Sequence, residues 1–184
     1  FTVTFFSYLA AMIAAFHHVA FRRASSFRIA RALTVLGLGA HLLTLAGRGI
    51  AAGRLPLGNM YEYSLALAFL VVLAEVVVVE GRYRVRTLGG FALAFAVITM
   101  AVAVLFLYVG PAPLVPALDS YWREIHVSAM IVASSLLALG SIVTLLYLWQ
   151  ERRERRVAGV TAPLVGASVD VGDAPPHFEV GVET

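Results

Sequence analysis

Cysteine and lysine are both absent from the 184-residue sequence, and charged residues make up only 14% of it. The lack of cysteine excludes disulfides, thiolate metal sites and thiol nucleophiles. Soluble domains carry roughly one quarter charged residues, so this composition argues against a water-soluble fold. The sequence also contains no HExxH zinc motif, glycine-rich phosphate loop or serine-nucleophile motif, so none of these enzyme sites is predicted.

Apolar residues, which form 60% of the chain, are concentrated in five runs. A helix needs roughly 20 apolar residues to cross a bilayer, and each run is near that length or longer. The runs cover residues 3–19, 30–50, 63–79, 88–109 and 121–149. We therefore predict an all-α, polytopic membrane helix bundle of about five transmembrane helices over residues 1–150. Residues 151–184 contain prolines and acids without a lasting period and predict a polar, disordered tail.

The segments between the runs alternate between many arginines and few. The rich segments contain Arg22, Arg23, Arg28 and Arg31, then Arg82, Arg84 and Arg86, and finally Arg152, Arg153, Arg155 and Arg156, whereas the poor ones contain Arg48 and Arg54, and then Arg123. Short cytoplasmic loops carry an excess of arginine. The pattern predicts that the N-terminus and the loops around Asn59 and His126 lie outside and that the tail is cytoplasmic. The small positive net charge, +3, follows from these clusters and requires no nucleic-acid partner.

The second run carries a polar stripe of Thr34, Gly37, His41, Thr44 and Arg48. Spacings of three and four place these residues on one face of a helix. Polar groups within a span are costly and usually face the bundle interior. Two interpretations stay open: a cofactor site that includes His41, or interhelical packing with hydrogen bonds and no ligand.

His126 lies in the first turns of the fifth predicted helix, for which Asp119 or Ser120 is the expected N-cap. A helix N-terminus disfavours a nearby imidazolium, so this histidine is expected to be neutral, as an axial haem ligand must be. From position alone, an interfacial residue of an aromatic belt beside Tyr121 and Trp122 is the favoured interpretation.

Three further ionisable residues are expected at the other interface. His17 and His18 lie at the predicted cytoplasmic end of the first helix, where histidines commonly meet water. Glu75 lies about one turn from the predicted end of the third helix, so its carboxylate is expected to reach the interface.

The segment before the third run is dense in turn-forming and polar residues. Pro56, Gly58 and Asn59 favour a tight turn, and Asn59 and Glu62 are predicted to cap the third helix. By itself this segment predicts a tight turn with a structural role.

The segment before the third run and the start of the fifth predicted helix together resemble the CcsA/ResC-type cytochrome c biogenesis proteins, the haem-handling membrane subunit of the System II pathway. The resemblance is carried by Pro56-Leu57-Gly58-Asn59-Met60-Tyr61-Glu62 and by Ser120-Tyr121-Trp122 with Ile125-His126-Val127-Ser128, and it covers about residues 30–149. It implies that His126 is an external axial ligand of haem iron, with Trp122 as a neighbour of the haem site. It also implies haem b as substrate and cofactor, a CcsB/ResB-type membrane partner, apocytochrome c, and a bacterial plasma (inner) membrane location.

The sequence departs from that family pattern downstream. The family's tryptophan-rich loop, a later membrane-embedded histidine and a second external histidine do not appear after the fifth run, and His177 lies on the predicted cytoplasmic side. Together with Phe1 at the start, this leads us to expect a truncated chain that does not complete haem attachment alone, although intact relatives form part of a haem lyase complex. Two other functions stay open, a cofactor-free membrane scaffold or assembly factor and, with less support, a small transporter that uses His41.

Overall fold

A computed structural model of the chain describes residues 1–112 and 120–165, with side chains as far as residue 157. Within these residues the chain is helical and contains no strand. The helices are α1 (Thr2–Phe21), α2 (Ala24–Ala52), α3 (Met60–Ala74), a π-helical segment (Glu75–Arg82), α4 (Gly89–Phe106) and α5 (Tyr121–Val165). Five helical stretches, counting α3 with the π segment as one, are long and apolar enough to cross a membrane. The predicted all-α bundle of about five spans is confirmed.

The helices end where the sequence offers a left-handed backbone or a break in the apolar run. Arg22 follows α1 with φ 52°, and its N–H donates to the carbonyl of His18. Gly53 follows α2 with φ 64°, a conformation that glycine adopts without steric cost. α2 begins at Ala24 and not near residue 30, because the polar residues predicted as loop continue as helix.

The polar stripe of α2 faces α1, as its spacing predicts. Thr34, Gly37 and His41 are buried, and Thr44 lies 3.5 Å from Thr4, oxygen to oxygen. Gly37 permits a close approach, since a Cβ there would lie 2.5 Å from the ring of Tyr8. Small residues at such contacts let membrane helices pack tightly.

α3 and α4 complete the core of this bundle. Leu65, Ala68 and Val72 of α3 pack in one cluster with Leu93 and Met100 of α4. α5 joins the bundle through the hydroxyl of Tyr63, which donates to Ser134 Oγ at 2.9 Å.

The third span ends differently from the prediction. It continues past residue 79 as the π segment, and Glu75, the first residue of that segment, is only 3% exposed. In place of the expected exposure at the interface, the side chain is almost fully enclosed by the helices near the arginine-rich end.

The chain divides into two units, Phe1–Thr144 and Leu145–Thr184. In the second unit α5 continues to Val165, so residues 151–165 are helical where the sequence predicted a disordered tail. Pairs one turn apart favour this helix, among them Arg155 and Glu151 at 2.7 Å. Residues 166–184, with His177, lie outside the described residues, and so does Asp119 as an expected cap.

The bundle has two chemically different ends. The motif end is defined by residues 53–63 and the start of α5. The arginine-rich end is defined by residues 22–31 and 82–86, where the Arg31 guanidinium meets the Glu80 carboxylate at 2.9 Å. The helices alternate in direction between these ends, which agrees with the alternation of arginines along the sequence.

Candidate functional site

A fully buried carboxylate organises the motif end. Glu62, in the first turn of α3, is 0% exposed. Arg48 of α2 donates to its Oε1 at 3.1 Å, and Arg54 of the following loop donates to its Oε2 at 2.8 Å. Both arginine side chains are themselves nearly buried, at 12% and 11% exposure. Charges removed from water require such partners, so the three residues form one unit, which we call the Glu62 cluster.

The same two arginines reach the segment that follows α4. Arg48 donates to the carbonyl of Val109 at 2.8 Å, and Arg54 donates to the carbonyl of Ala112 at 3.2 Å. The Arg48 guanidinium also lies over the ring of Tyr61, 4.6 Å from its centroid. The cluster therefore ties the end of α2, the start of α3 and the chain after α4 together.

The turn before α3 is held by side-chain hydrogen bonds. Asn59 Oδ1 accepts from the N–H of Glu62 at 2.9 Å, so the predicted Asn59 cap is confirmed. Glu62 reaches back and accepts from the N–H of Gly58 at 2.8 Å, which resembles a capping box shifted by one residue. A side chain at Gly58 would collide with the Arg54 guanidinium, so this glycine makes room for the ion pair.

The start of α5 is connected to this turn. The Arg123 guanidinium donates to the carbonyl of Leu57 at 3.2 Å. The carbonyl of Ser120 accepts from the backbone N–H of Arg123 at 3.1 Å and from that of Glu124 at 3.4 Å, which begins the helix. The two segments that carry the family resemblance are thus in direct contact, although they are far apart in sequence.

His126 and Trp122 lie on this first part of α5. A separation of four residues places both on one helical face, where neighbouring side chains meet. Both are exposed, and Trp122 is 76% exposed and packs edge to face against Tyr121 with ring centroids 6.4 Å apart. An exposed imidazole can supply a nitrogen ligand, and an exposed indole on the same helical face offers a flat apolar surface. Among the described residues, no second histidine lies at the motif end.

His41 lies elsewhere. It is 0% exposed in the middle of α2, shares a hydrogen bond of 3.3 Å with the Tyr8 hydroxyl, and packs edge to face against Phe69 with centroids 5.5 Å apart. Its Nε2 has no hydrogen-bond partner in the described part of the chain. No surface is shared with His126, and the contacts agree with the packing interpretation of the stripe.

His17 and His18 lie at the arginine-rich end. His17 Nδ1 is 2.8 Å from Ser26 Oγ, and His18 Nδ1 is 2.9 Å from the carbonyl of Arg23. These bonds hold the turn between α1 and α2, which gives both histidines a structural role.

The Glu62 cluster was missed by sequence reasoning. Arg48 was assigned to the polar stripe and, with Arg54, to an arginine-poor external loop. Glu62 was assigned as a helix cap and a member of the family motif, and no ion pair among the three was predicted. The available signal was that two arginines and one acid occur within 15 residues beside a predicted span, where a charge requires an opposite charge or water.

These features define a multi-pass helical membrane protein. One end of it is held together by ion pairs and hydrogen bonds and exposes a histidine and a tryptophan. A family model described as cytochrome C assembly protein matches residues 57–170, which include residues 57–63 of that end and the start of α5. The chain belongs to the cytochrome c assembly protein family.

Similar curated proteins carry the name cytochrome c biogenesis protein CcsA. The protein from Porphyra purpurea is 35% identical over 168 residues, which cover 89% of this chain and 50% of the relative. The protein from Gloeobacter violaceus is 37% identical over 144 residues, covering 70% of this chain and 42% of the relative. The protein from Synechocystis is 34% identical over 131 residues, covering 70% and 37%. The chain therefore spans half or less of the length of these relatives.

The Glu62 cluster predicts a large effect of removing one charge. Glu62→Gln preserves size but leaves two nearly buried arginines without a counter-charge, which typically costs about 3–5 kcal/mol. We expect the detergent-purified variant to unfold at a clearly lower Tm than the wild-type protein.

The matched control is Glu124→Gln at the same end. Glu124 faces Arg123 at 3.7 Å with both side chains more accessible to water, so its loss should cost only about 0–1 kcal/mol. Equal Tm values for the two variants would show that the Glu62 cluster does not stabilise the fold.

Proposed function

We propose that this protein acts in cytochrome c biogenesis and handles haem at the motif end. The proposal depends chiefly on one observation: His126 and Trp122 are exposed one turn apart on α5, and the start of α5 is bonded to residues 56–62 through Arg123 and Leu57. Family membership supports the role, since the similar curated proteins are named for cytochrome c biogenesis.

In this proposal haem b is both substrate and cofactor. Its iron and macrocycle supply the redox and covalent chemistry. His126 supplies one axial nitrogen, and Trp122 contributes an apolar surface beside the ring. The Glu62 cluster keeps the surrounding loops in place and does not contact haem. A second axial ligand has to come from elsewhere, because the described part of the motif end holds one histidine.

The proposed activity belongs to a larger assembly. Haem moved to the external face would be joined to apocytochrome c, with a CcsB/ResB-type membrane protein as the partner. The chain spans about half of its relatives, so we assign it haem ligation and presentation and not the complete lyase reaction. The proposal does not use His41 as a ligand, because its burial and its contacts with Tyr8 and Phe69 support the packing interpretation of the stripe.

Haem titration of the purified protein tests the role of His126. We expect the wild-type chain to develop a Soret band that weakens strongly in His126→Ala and partly in Trp122→Ala. Exogenous imidazole should restore the spectrum of His126→Ala, because it replaces the missing axial nitrogen. A rescue of this kind distinguishes ligation from a structural effect.

The control is His18→Ala, a half-buried histidine at the arginine-rich end, which should leave the haem spectrum unchanged. Identical spectra for wild type and His126→Ala would remove His126 from the site. Absence of any Soret band in the wild type would favour a cofactor-free scaffold or assembly factor.

We further propose that the motif end faces the outside of a bacterial plasma membrane and that the arginine-rich end faces the cytoplasm. The 184-residue sequence contains no cysteine, which allows a direct test with single cysteines placed at exposed positions. A membrane-impermeant thiol reagent applied to intact cells should label Gly110→Cys and not Ser25→Cys. Labelling of Ser25→Cys alone would reverse the orientation.

A further inference from the structure

The Glu75 carboxyl group is buried away from the haem-handling end. Glu75 opens the π segment at 3% exposure. Within the residues that the structure describes, its carboxylate makes no hydrogen bond or ion pair. Gly89 of α4 leaves room for it, because a Cβ there would lie 3.1 Å from Glu75 Oε1.

The carboxyl group faces a small cavity between α1, α2, the π segment and the start of α4. The cavity has a volume of about 20 Å³ and is lined in part by polar and charged groups. About 10–15 Å³ measured in this way holds one water molecule. Thus the geometry allows a water to meet the carboxyl group inside the span.

Four other charged or titratable groups line the same cavity: His18 from α1, Arg31 from α2, Glu80 from the π segment and Arg86 from the turn before α4. Arg31 is paired with Glu80 at 2.9 Å. The Arg86 guanidinium lies over the Phe27 ring at 4.7 Å, and His18 is bonded to a backbone carbonyl. The exposed Arg31 and Arg86 place the cavity beside the water at the arginine-rich end.

An acid within a span requires an opposite charge, hydrogen bonds or a proton. Neither arginine of the cavity contacts Glu75, so a proton, together with water in the cavity, would stabilise it. The π-helical geometry begins at this residue, and π-helical turns occur frequently at functional sites. Glu62, at the other end of the same span, is stabilised in a different way, because two arginines and a backbone N–H surround its carboxylate.

We propose that Glu75 is a proton-binding site that exchanges its proton, through water in this cavity, with the solution at the arginine-rich end of the bundle. This role is independent of haem ligation by His126. It gives the protein an acid–base group within the span, on the side opposite to the motif end.

Two measurements on the folded protein in lipid nanodiscs test this proposal. The first is labelling with dicyclohexylcarbodiimide, which reacts with protonated carboxyl groups, followed by peptide mass spectrometry. We expect an adduct on Glu75 whose yield rises as the pH is lowered. The second is infrared difference spectroscopy between samples at high and low pH. The C=O band of a protonated carboxylic acid should appear and should shift in D₂O.

The band should disappear in Glu75→Gln and persist in Glu80→Gln, the matched control from the same cavity. Glu75→Asp, which keeps the carboxyl group, should move the band without abolishing it and covers the case in which Glu75→Gln does not fold. Absence of both the adduct and the band in the wild type would overturn the proposal. A band that persists in Glu75→Gln, or that does not shift in D₂O, would also overturn it.

Discussion

The carboxylate of Glu62 is the group around which the motif end is arranged. A lone carboxylate buried at the edge of a membrane span would be strongly destabilising, because its hydration is lost without compensation. Here two guanidinium groups and the N–H of Gly58 replace the lost water. Since the arginines also bond to carbonyls after α4, the cost of burying one acid is offset by contacts that join three segments of the chain.

The Glu62 cluster affects the proposed haem site by positioning the residues around it and not by contacting haem. The turn held by Glu62 presents the Leu57 carbonyl to Arg123, and Arg123 lies one residue after Trp122 and three before His126. Ligand residues hold a cofactor well only when their supporting contacts are themselves ordered. The proposed haem ligand therefore lies on a helix whose first turn is hydrogen-bonded to the segment that the Glu62 cluster holds in place.

The features that follow from helical period were predictable from the sequence. The α2 stripe needed only the spacing of Thr34, Gly37 and His41 to be assigned to the interior. The Asn59 cap likewise depends on residues that are near neighbours. The orientation in the membrane and the role of His126 remain predictions, since both concern groups outside the chain.

Features that depend on distant contacts were not predictable in the same way. Arg48 and Glu62 are far enough apart in sequence that their pairing depends on how α2 packs against α3. Glu75 was misplaced because the third span was expected to end near residue 79, whereas the helix continues in π geometry and points this residue inward. Residues 151–165 were misjudged because charge and lack of apolar period suggested disorder, while pairs such as Glu151 and Arg155 favour a solvated helix.

Hydrogen–deuterium exchange at residues 53–63 tests most directly whether Glu62 organises the motif end. The account predicts slow exchange of the Gly58 and Glu62 amides in the wild-type protein, because Glu62 and Asn59 accept from them at 2.8 and 2.9 Å. It predicts fast exchange of the same peptide in Glu62→Gln, with the α1 peptides unchanged. Fast exchange in the wild type, or an unchanged rate in the variant, would contradict it.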